Sequence, residues 1–576
     1  MKDNDIIRHT ISEATTRNWK RLHSDGSGRL MSRANKQLST KTILPVEYFS
    51  NKANIADIQR FVNFCKEQNY KVEEVIYSVG VKLLKEAGIL EKPHVAAALK
   101  PLTPLMDLKP LVPPPLPKDE NDLLGLLYQC FLLEGEKNRK GSYYTPYEVA
   151  RNMTKGLDFS KNQTFFDPCC GSGAFLLALE GASPKQIFGC DNDSVAVMIA
   201  KINLLLKYKT EVFESQIFYC DYLKQSFKYN ETNISYDYIV SNPPWGAVIF
   251  DEKGNQITTR ESFSFFFEKA FSQLKNDGLI RFLLPESVLN VRTHKKFRQF
   301  LLENTDIQSI TLYDSAFSGV QTKYIDIESR RTRHALSQQD EIRITSWDKA
   351  CLIRNEKNIK KACFHLTNNL NFNLLSDSDL KKVQKILSIG KYTLKDSIWG
   401  LGIVTGDNKK HLKTKQGRGF EPIYTGKEID AYGLKAPKYF IKYKRTGYQQ
   451  VAKDEIYRAD EKLVYKFISK NLVFAYDDTQ SLVLNSANVL IPRIPGMSVK
   501  TVLAFLNSST FKFLYKSLFG EIKILKGNLM ELPFPEISAD TDKRLTQLVD
   551  EVLKGDVVAM KIIDNEVAKL FEIPRA

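Results

Sequence analysis

The apolar positions change their spacing twice along this chain, and each change marks a different kind of element. From Ile55 the residues Ile58, Phe61, Val62 and Cys65, then Val72, Val75, Ile76, Val79 and Leu83, recur at helical intervals and predict two helices. A third helix is expected around Asp122–Leu133. Between them, seven of the seventeen residues from Pro101 to Pro117 are proline, a run that can build neither a helix nor a central strand and reads as a stiff connector. From residue 164 the pattern becomes one of short apolar runs that stop at an acid or an amide: Thr164–Phe166 at Asp167, Ile187–Cys190 at Asp191, Gln216–Cys220 at Asp221, and Asp237–Ser241 at Asn242. An Asp277-Gly278 turn leads into the strand Leu279–Leu284, and Phe317–Asp326 is expected to carry the last strands of this region. Phe263, Phe267, Ala270 and Phe271 fall on one face of a helix, where core packing is the default reading.

Beyond about residue 391 the runs shorten to strand-like pieces, Tyr439–Tyr443, Lys462–Ile468, Leu472–Tyr476 and Leu482–Pro492, with glycine turns between them and a helical tail after Thr541. The predicted fold class is therefore α/β. A Rossmann-like domain covers 121–390, a mostly helical region over 1–100 and a proline-rich connector over 101–120 precede it, and a mixed α+β domain over 391–576 follows.

Charge sharpens this picture. The net charge of +16 suits a polyanionic partner, although a solvated basic face would give the same figure. The opening stretch Thr16-Arg17-Asn18-Trp19-Lys20-Arg21, with Arg29, Arg33 and Lys36, is basic, and reads either as a DNA- or partner-contacting module or as a structural cap. The eight cysteines form no Cys-x-x-Cys pair and no zinc-ligand spacing, so they are expected to be reduced thiols in a cytoplasmic protein without a metal site. No apolar run approaches the length of a membrane span, so no membrane partner is expected.

Candidate chemistry centres on Asn242-Pro243-Pro244-Trp245 at a strand end. Two prolines fix the backbone so that the Asn242 amide and the Pro243 carbonyl stand side by side as acceptors. Together they would draw a planar amine toward tetrahedral geometry and free its lone pair, while Trp245 stacks on the base. Taken alone, the four residues could also be an ordinary turn. The segment Asp167-Pro168-Cys169-Cys170-Gly171-Ser172-Gly173 has the strand, glycine-rich turn and helix start of a nucleotide site. Leu176 stands where a dinucleotide motif has its third glycine, and Asp167 would repel a pyrophosphate. The variant fits S-adenosylmethionine, whose cationic amino acid end Asp167 could accept from while Gly171 and Gly173 let the backbone approach. Asp191, at the tip of the next strand, is the expected ribose residue.

These motifs resemble those of the DNA N6-adenine methyltransferases, whose catalytic motif is Asn/Asp-Pro-Pro-aromatic and whose relatives carry Asp-Pro-x-Cys-Gly-Ser-Gly; Cys169, at the variable position of that motif, is a further cofactor candidate. The resemblance further implies that Tyr144, Thr145 and Pro146, in Gly141-Ser142-Tyr143-Tyr144-Thr145-Pro146, hold the methionine end of the cofactor. It also implies that Asp221 accepts from the cofactor's adenine amine and that Phe266 stacks on that adenine. An aromatic between Phe317 and Asp326 is expected to face Trp245 across the target base. The order of motifs, with Gly402–Asn408, Asn488–Pro492, Leu506–Ser508 and Leu532–Pro535 behind them, resembles the gamma class with its C-terminal target-recognition domain. There Lys409, Lys410, Lys413, Arg418, Lys442, Lys444 and Arg445, interleaved with tyrosines, suit phosphate contact; a solvated edge would look similar.

The resemblance implies site-specific methyl transfer to a flipped adenine in double-stranded DNA, within a restriction-modification system that can include a cognate restriction endonuclease. A fused nuclease is the nearest rival, but the triplet Asp107-Leu108-Lys109 that could serve one lies among prolines. Methylation of RNA or of a protein glutamine is a second, and a catalytically silent DNA-binding subunit a third.

Overall fold

The computed structural model describes residues 45–100, 114–132, 144–224, 228–229, 232–233, 235–245, 261–314, 323–332, 340–348, 352–520 and 522–574. The basic opening stretch, most of the proline-rich run, Gly141–Tyr143 and Phe317 lie outside them. The chain divides into two compact units between Lys361 and Ala362.

The first unit is built on one sheet. Its strands are β1 (Phe165–Asp167), β2 (Ile187–Asp191), β3 (Gln216–Tyr219), β4 (Tyr236–Ser241), β5 (Leu274–Pro285), β6 (Thr305–Tyr313), β7 (Tyr324–Arg331), β8 (Glu341–Trp347) and β9 (Ile353–Lys360), in the order β9-β8-β6-β7-β5-β4-β1-β2-β3. Strands β1 to β5 run parallel to one another; β7 runs antiparallel between β5 and β6. All three residues of β1 are buried, as a strand covered on both faces requires. With β2 on one side and β4 on the other, β1 borders the point where strand order reverses, and ligands bind at the carboxyl ends of strands there.

The predicted helices appear as α1 (Ile55–Glu67), α2 (Val72–Glu86) and, after α3 (Pro93–Leu99), α4 (Leu123–Phe131). They share one hydrophobic core with β1, β2 and the helices that follow: α5 (Tyr147–Thr154), α6 (Ala174–Ala178) and α7 (Ser194–Lys207). The approach of α2 to α7 is close: a Cβ on Gly80 would stand 2.6 Å from the Ile202 side chain. The phenylalanine-rich helix is α8 (Ser262–Ser272), with Phe263, Phe267, Ala270 and Phe271 buried, and α9 (Lys295–Asn304) follows β5.

Two expectations need correction here. Asp277-Gly278 does not precede its strand but sits within β5, where the register to β4 shifts. The sheet also does not end near Asp326, because β8 and β9 extend it to Lys360. Their sequence signal is weak for a physical reason: β8 alternates Ile342 and Ile344 with polar residues, and β9 is a charged edge strand with Ile359 buried.

In residues 362–574, β10 (Ile398–Leu401), β17 (Ala487–Ile491), β14 (Lys462–Lys466) and β15 (Phe474–Asp477) form one four-stranded sheet. A second contains β11 (Leu412–Lys413), β13 (Tyr439–Ile441), β12 (Glu421–Tyr424) and β16 (Leu482–Val483). Leu482–Pro492, read from sequence as one strand, is thus two strands in different sheets. The break falls where Gly402 passes: a Cβ there would meet the carbonyl oxygens of Leu484 and Ala487 at 2.2 and 2.3 Å. Helices α10 (Asp377–Ile389), α11 (Val499–Asn507), α12 (Ser509–Phe519), α13 (Ala539–Leu553) and α14 (Val557–Leu570) complete the unit. Ser376, Ser498, Ser508 and Ser538 each cap the helix that follows.

Lys462 and Asp477 pair across β14 and β15 at 2.6 Å with both side chains fully buried. Removing the ammonium leaves a buried carboxylate, so Lys462→Ala is expected to cost about 3–5 kcal/mol. A chemical denaturation midpoint equal to wild type would contradict this.

Candidate active site

The tip of β1 carries the most constrained acid of the first unit. Asp167 is fully buried; its Oδ1 accepts from the Cys169 amide at 3.0 Å and the Ser241 hydroxyl at 2.7 Å. Its Oδ2 is buried with no partner. Burial, then the nearby Asp191 charge, pushes its pKa up to about 7 against the bonds it accepts. The turn beyond needs its glycines, since Gly171 and Gly173 have φ of +52° and +90°. Asp191 holds that turn: one oxygen accepts from the Gly171 amide and the other from the Asp193 amide, each at 2.9 Å. Burial raises its pKa to about 6.

Tyr144 lies over the turn, its ring 3.2 Å from where a Gly171 Cβ would be, and its hydroxyl is buried without a partner. A small pocket thereby gathers Tyr144, Thr145, Asp167, Cys169, Gly171 and Asn242. Pro146 is the N-cap residue of α5, so the predicted helix start directly follows the two pocket residues Tyr144 and Thr145.

Behind the turn lies a network that sequence reasoning missed. Asp122, which caps α4 by accepting from the Gly125 amide at 2.9 Å, also accepts from the Ser172 hydroxyl at 2.5 Å and the Asn203 amide at 2.8 Å. Asn203 donates as well to the Ser172 carbonyl at 3.0 Å. A Cβ at Gly125 would come within 2.1 Å of the Asp122 carboxylate, so glycine permits this approach. Asp122 in sequence looks like any helix cap, and nothing in its spacing marks the long-range bonds.

At the end of β4, the Asn242 side-chain amide donates to Thr145 Oγ1 at 3.2 Å. Pro243 is buried, and the Ser262 hydroxyl donates to the Pro244 carbonyl. Trp245 donates its indole N–H to the Leu283 carbonyl at 3.1 Å. Its ring lies 6.2 Å from that of Tyr324, which stacks on Tyr313 at 4.9 Å. Tyr313 donates to Asp326, and Asp326 also receives the Arg281 guanidinium, both at 2.7 Å. Tyr324 falls in the stretch expected to supply an aromatic across the target base, but it braces Trp245 directly. A base between two rings needs roughly 7 Å, two van der Waals contacts.

On the far side of the turn, Asp221 pairs with Lys224 at 2.9 Å. Partial burial raises its pKa, but the Lys224 hydrogen bond and charge outweigh that and hold it below the ordinary carboxylate value. Phe266 is half-buried and stacks on Tyr222, beside Asp221, with centroids 5.7 Å apart. The Lys269 ammonium lies over the Tyr222 ring at 4.7 Å.

In the second unit the basic candidates are all exposed. Lys409 and Lys410 belong to the short helix Asn408–His411, which leads into β11 with Lys413. Strand β11 pairs with β13, after which Lys442, Lys444 and Arg445 follow; Arg418 lies between β11 and β12. Tyr443 and Tyr448 stack beside them, with Tyr443 tied to Asp454 at 2.6 Å. Among the described residues no cluster of His, Cys, Asp and Glu is arranged to hold a metal ion, and no helix is long and apolar enough to cross a membrane.

The family model for N-6 DNA methylases matches residues 119–333, and that for TaqI-like C-terminal specificity domains matches 421–534. The type II methyltransferase M.VspI of Vibrio sp. (strain 343) is 33% identical over 323 residues, 54% of this chain and 76% of its own. The methylase subunit of the type I restriction enzyme EcoEI of Escherichia coli is 25% identical, over 36% of this chain and 46% of its own. This chain therefore spans less than half of that subunit. The type IIL restriction-modification enzyme MmeI, solved in complex with DNA, shares the fold with a TM-score of 0.55 at 14% identity, over 92% of each chain.

The state of Asp167 sets a pH dependence. Burial pushes its pKa up to about 7, so the carboxylate form, the one that would hold a cationic ligand, gains as pH rises through neutrality. Binding of sinefungin, an amine-bearing analogue of S-adenosylmethionine, should therefore tighten as pH rises through neutrality and weaken below it. Calorimetric affinities that stay flat across that range would contradict the assignment.

Proposed function

The chain belongs to the N-6 DNA methylase family, the N6 DNA methyltransferases of restriction-modification systems, and from that premise we propose an adenine-specific reaction and its residues. The substrate is adenine in double-stranded DNA, the methyl donor is S-adenosylmethionine, and residues 362–576 choose the site. The observation that carries this reading is the buried, unpartnered oxygen of Asp167 in a pocket shared with Asn242.

The residues present fit the donor. Asp167 Oδ2 lacks a partner and suits an ammonium group. The Tyr144 hydroxyl, also lacking one, suits the carboxylate beside it, with Thr145 and Cys169 completing the wall and Pro146 next to Thr145 at the start of α5. The glycine turn at Gly171 and Gly173 leaves room for the backbone to approach. Asp191 would accept from ribose hydroxyls through the lone pairs its two amide bonds leave open, Asp221 from the adenine amine, and Phe266 would cover the adenine face. When bound, the cofactor supplies a methyl group already activated on a sulfonium.

Asn242 and Pro243 act on the substrate. The Asn242 carboxamide oxygen and the Pro243 carbonyl accept the two N6 hydrogens, which localises the nitrogen lone pair toward the methyl donor. Trp245, fixed by Leu283 and Tyr324, offers a rigid ring for the extruded base. Extrusion is required because the N6 lone pair cannot be presented inside the duplex. The exposed cations from Lys409 to Arg445 suit phosphate contact. Membership of restriction-modification systems makes a cognate restriction endonuclease the expected companion.

Single-molecule sequencing of DNA from cells expressing the protein should find N6-methyladenine at one short motif. Asn242→Ala should lower transfer by roughly 10²–10³-fold or more. The modification in both strains, or in neither, would contradict the proposal.

A further inference from the structure

Ser241, which precedes the catalytic amide, is fully buried, and its hydroxyl donates to Asp167 Oδ1 at 2.7 Å. That bond leaves the other oxygen of Asp167 buried and unpartnered at the pocket. The next residue, Asn242, donates its side-chain N–H to Thr145 Oγ1 at 3.2 Å, and Thr145 is itself buried. Hydrogen-bonded side chains on adjacent residues pin the planar peptide unit between them from both ends, so losing one bond frees one end of it. The two ends of a carboxamide have nearly the same shape, and only hydrogen bonding decides which end faces a partner. With the nitrogen held by Thr145, the oxygen turns away from it.

We infer that Ser241 is a positioning residue that joins the two halves of the site. It holds Asp167 with one oxygen turned toward the ammonium end of the cofactor. Through the peptide it shares with Asn242, it also fixes the amide that receives the target amine. This inference rests on the function proposed above and adds to it a mechanical link between cofactor loading and the base site. Among the described residues, the titratable groups that interact with Asp167 are the Cys169 and Cys170 thiols and the Asp191 carboxylate, none of them cationic. Hydrogen-bond donors rather than an ion pair favour the charged form of this acid against its burial, and Ser241 is the side chain among them.

The test compares wild type with Ser241→Ala and with Ser241→Cys, which keeps the volume and a weaker donor, after melting curves confirm that each is folded. Sinefungin affinity by calorimetry reads the Asp167 side without catalysis. Loss of a bond to a charged group should weaken it roughly ten- to hundredfold at neutral pH. Because the Ser241 bond favours the carboxylate, its loss raises the Asp167 pKa, so the pH at which binding falls off should move upward. Transfer of isotopic methyl to phage DNA at saturating cofactor reads the Asn242 side, and kcat should fall as well as the cofactor KM rising. Ser241→Cys should lie between.

Unchanged affinity and an unmoved pH limb would overturn the inference. A raised KM with wild-type kcat would overturn the link to Asn242. If wild type itself failed to bind sinefungin, the cofactor reading would fall and this inference with it. If wild type bound sinefungin and all three proteins bound alike, the inference alone would fall.

Discussion

A carboxylate buried without a counter-ion is expensive, and the catalytic unit is arranged around one. Asp167 ends a strand covered on both faces, at the point where the sheet reverses its order. Among the described residues only the Cys169 amide and the Ser241 hydroxyl stabilise its charge, and burial still wins, as its raised pKa shows. A cationic ligand is what such a site lacks. The same reversal sets β1 beside β4, so the acid that would hold the methyl donor and the amide that would hold the target amine are neighbours in space although 75 positions apart in sequence.

Two side networks stiffen this centre from opposite directions. Asp122, Ser172 and Asn203 tie α4 and α7 to the back of the glycine turn, which brings the N-terminal helices into the architecture of the candidate cofactor pocket. On the other side, Arg281, Asp326, Tyr313 and Tyr324 form a buried column against which Trp245 rests. A ring that would stack on an extruded base gains little if it must first be immobilised, and Trp245 is already fixed at its N–H.

Much of this was legible in the sequence because it depends on local chemistry. Acids at strand tips, a glycine turn and an Asn-Pro-Pro-aromatic segment each require particular residues at fixed spacing, and Asp167, Gly171, Asp191 and Asn242 could be named from that alone. The helices α1, α2 and α4 were legible from their apolar period. What escaped depends on partners distant in the chain. Ser241 and Asp122 are an ordinary strand residue and an ordinary cap until the fold brings Asp167 and Ser172 to them. Strand β9 escaped because it is charged and gains its pairing from β8 rather than from its own composition. Tyr324 was legible as an aromatic in the right stretch, but its place directly against Trp245 follows from the antiparallel insertion of β7, which no local pattern announces.

The most direct measurement is mass spectrometry of nucleosides from DNA incubated with the purified protein and S-adenosylmethionine carrying a deuterated methyl group. The account predicts label in N6-methyldeoxyadenosine. Label in a methylated cytosine instead, or none in DNA, would contradict it.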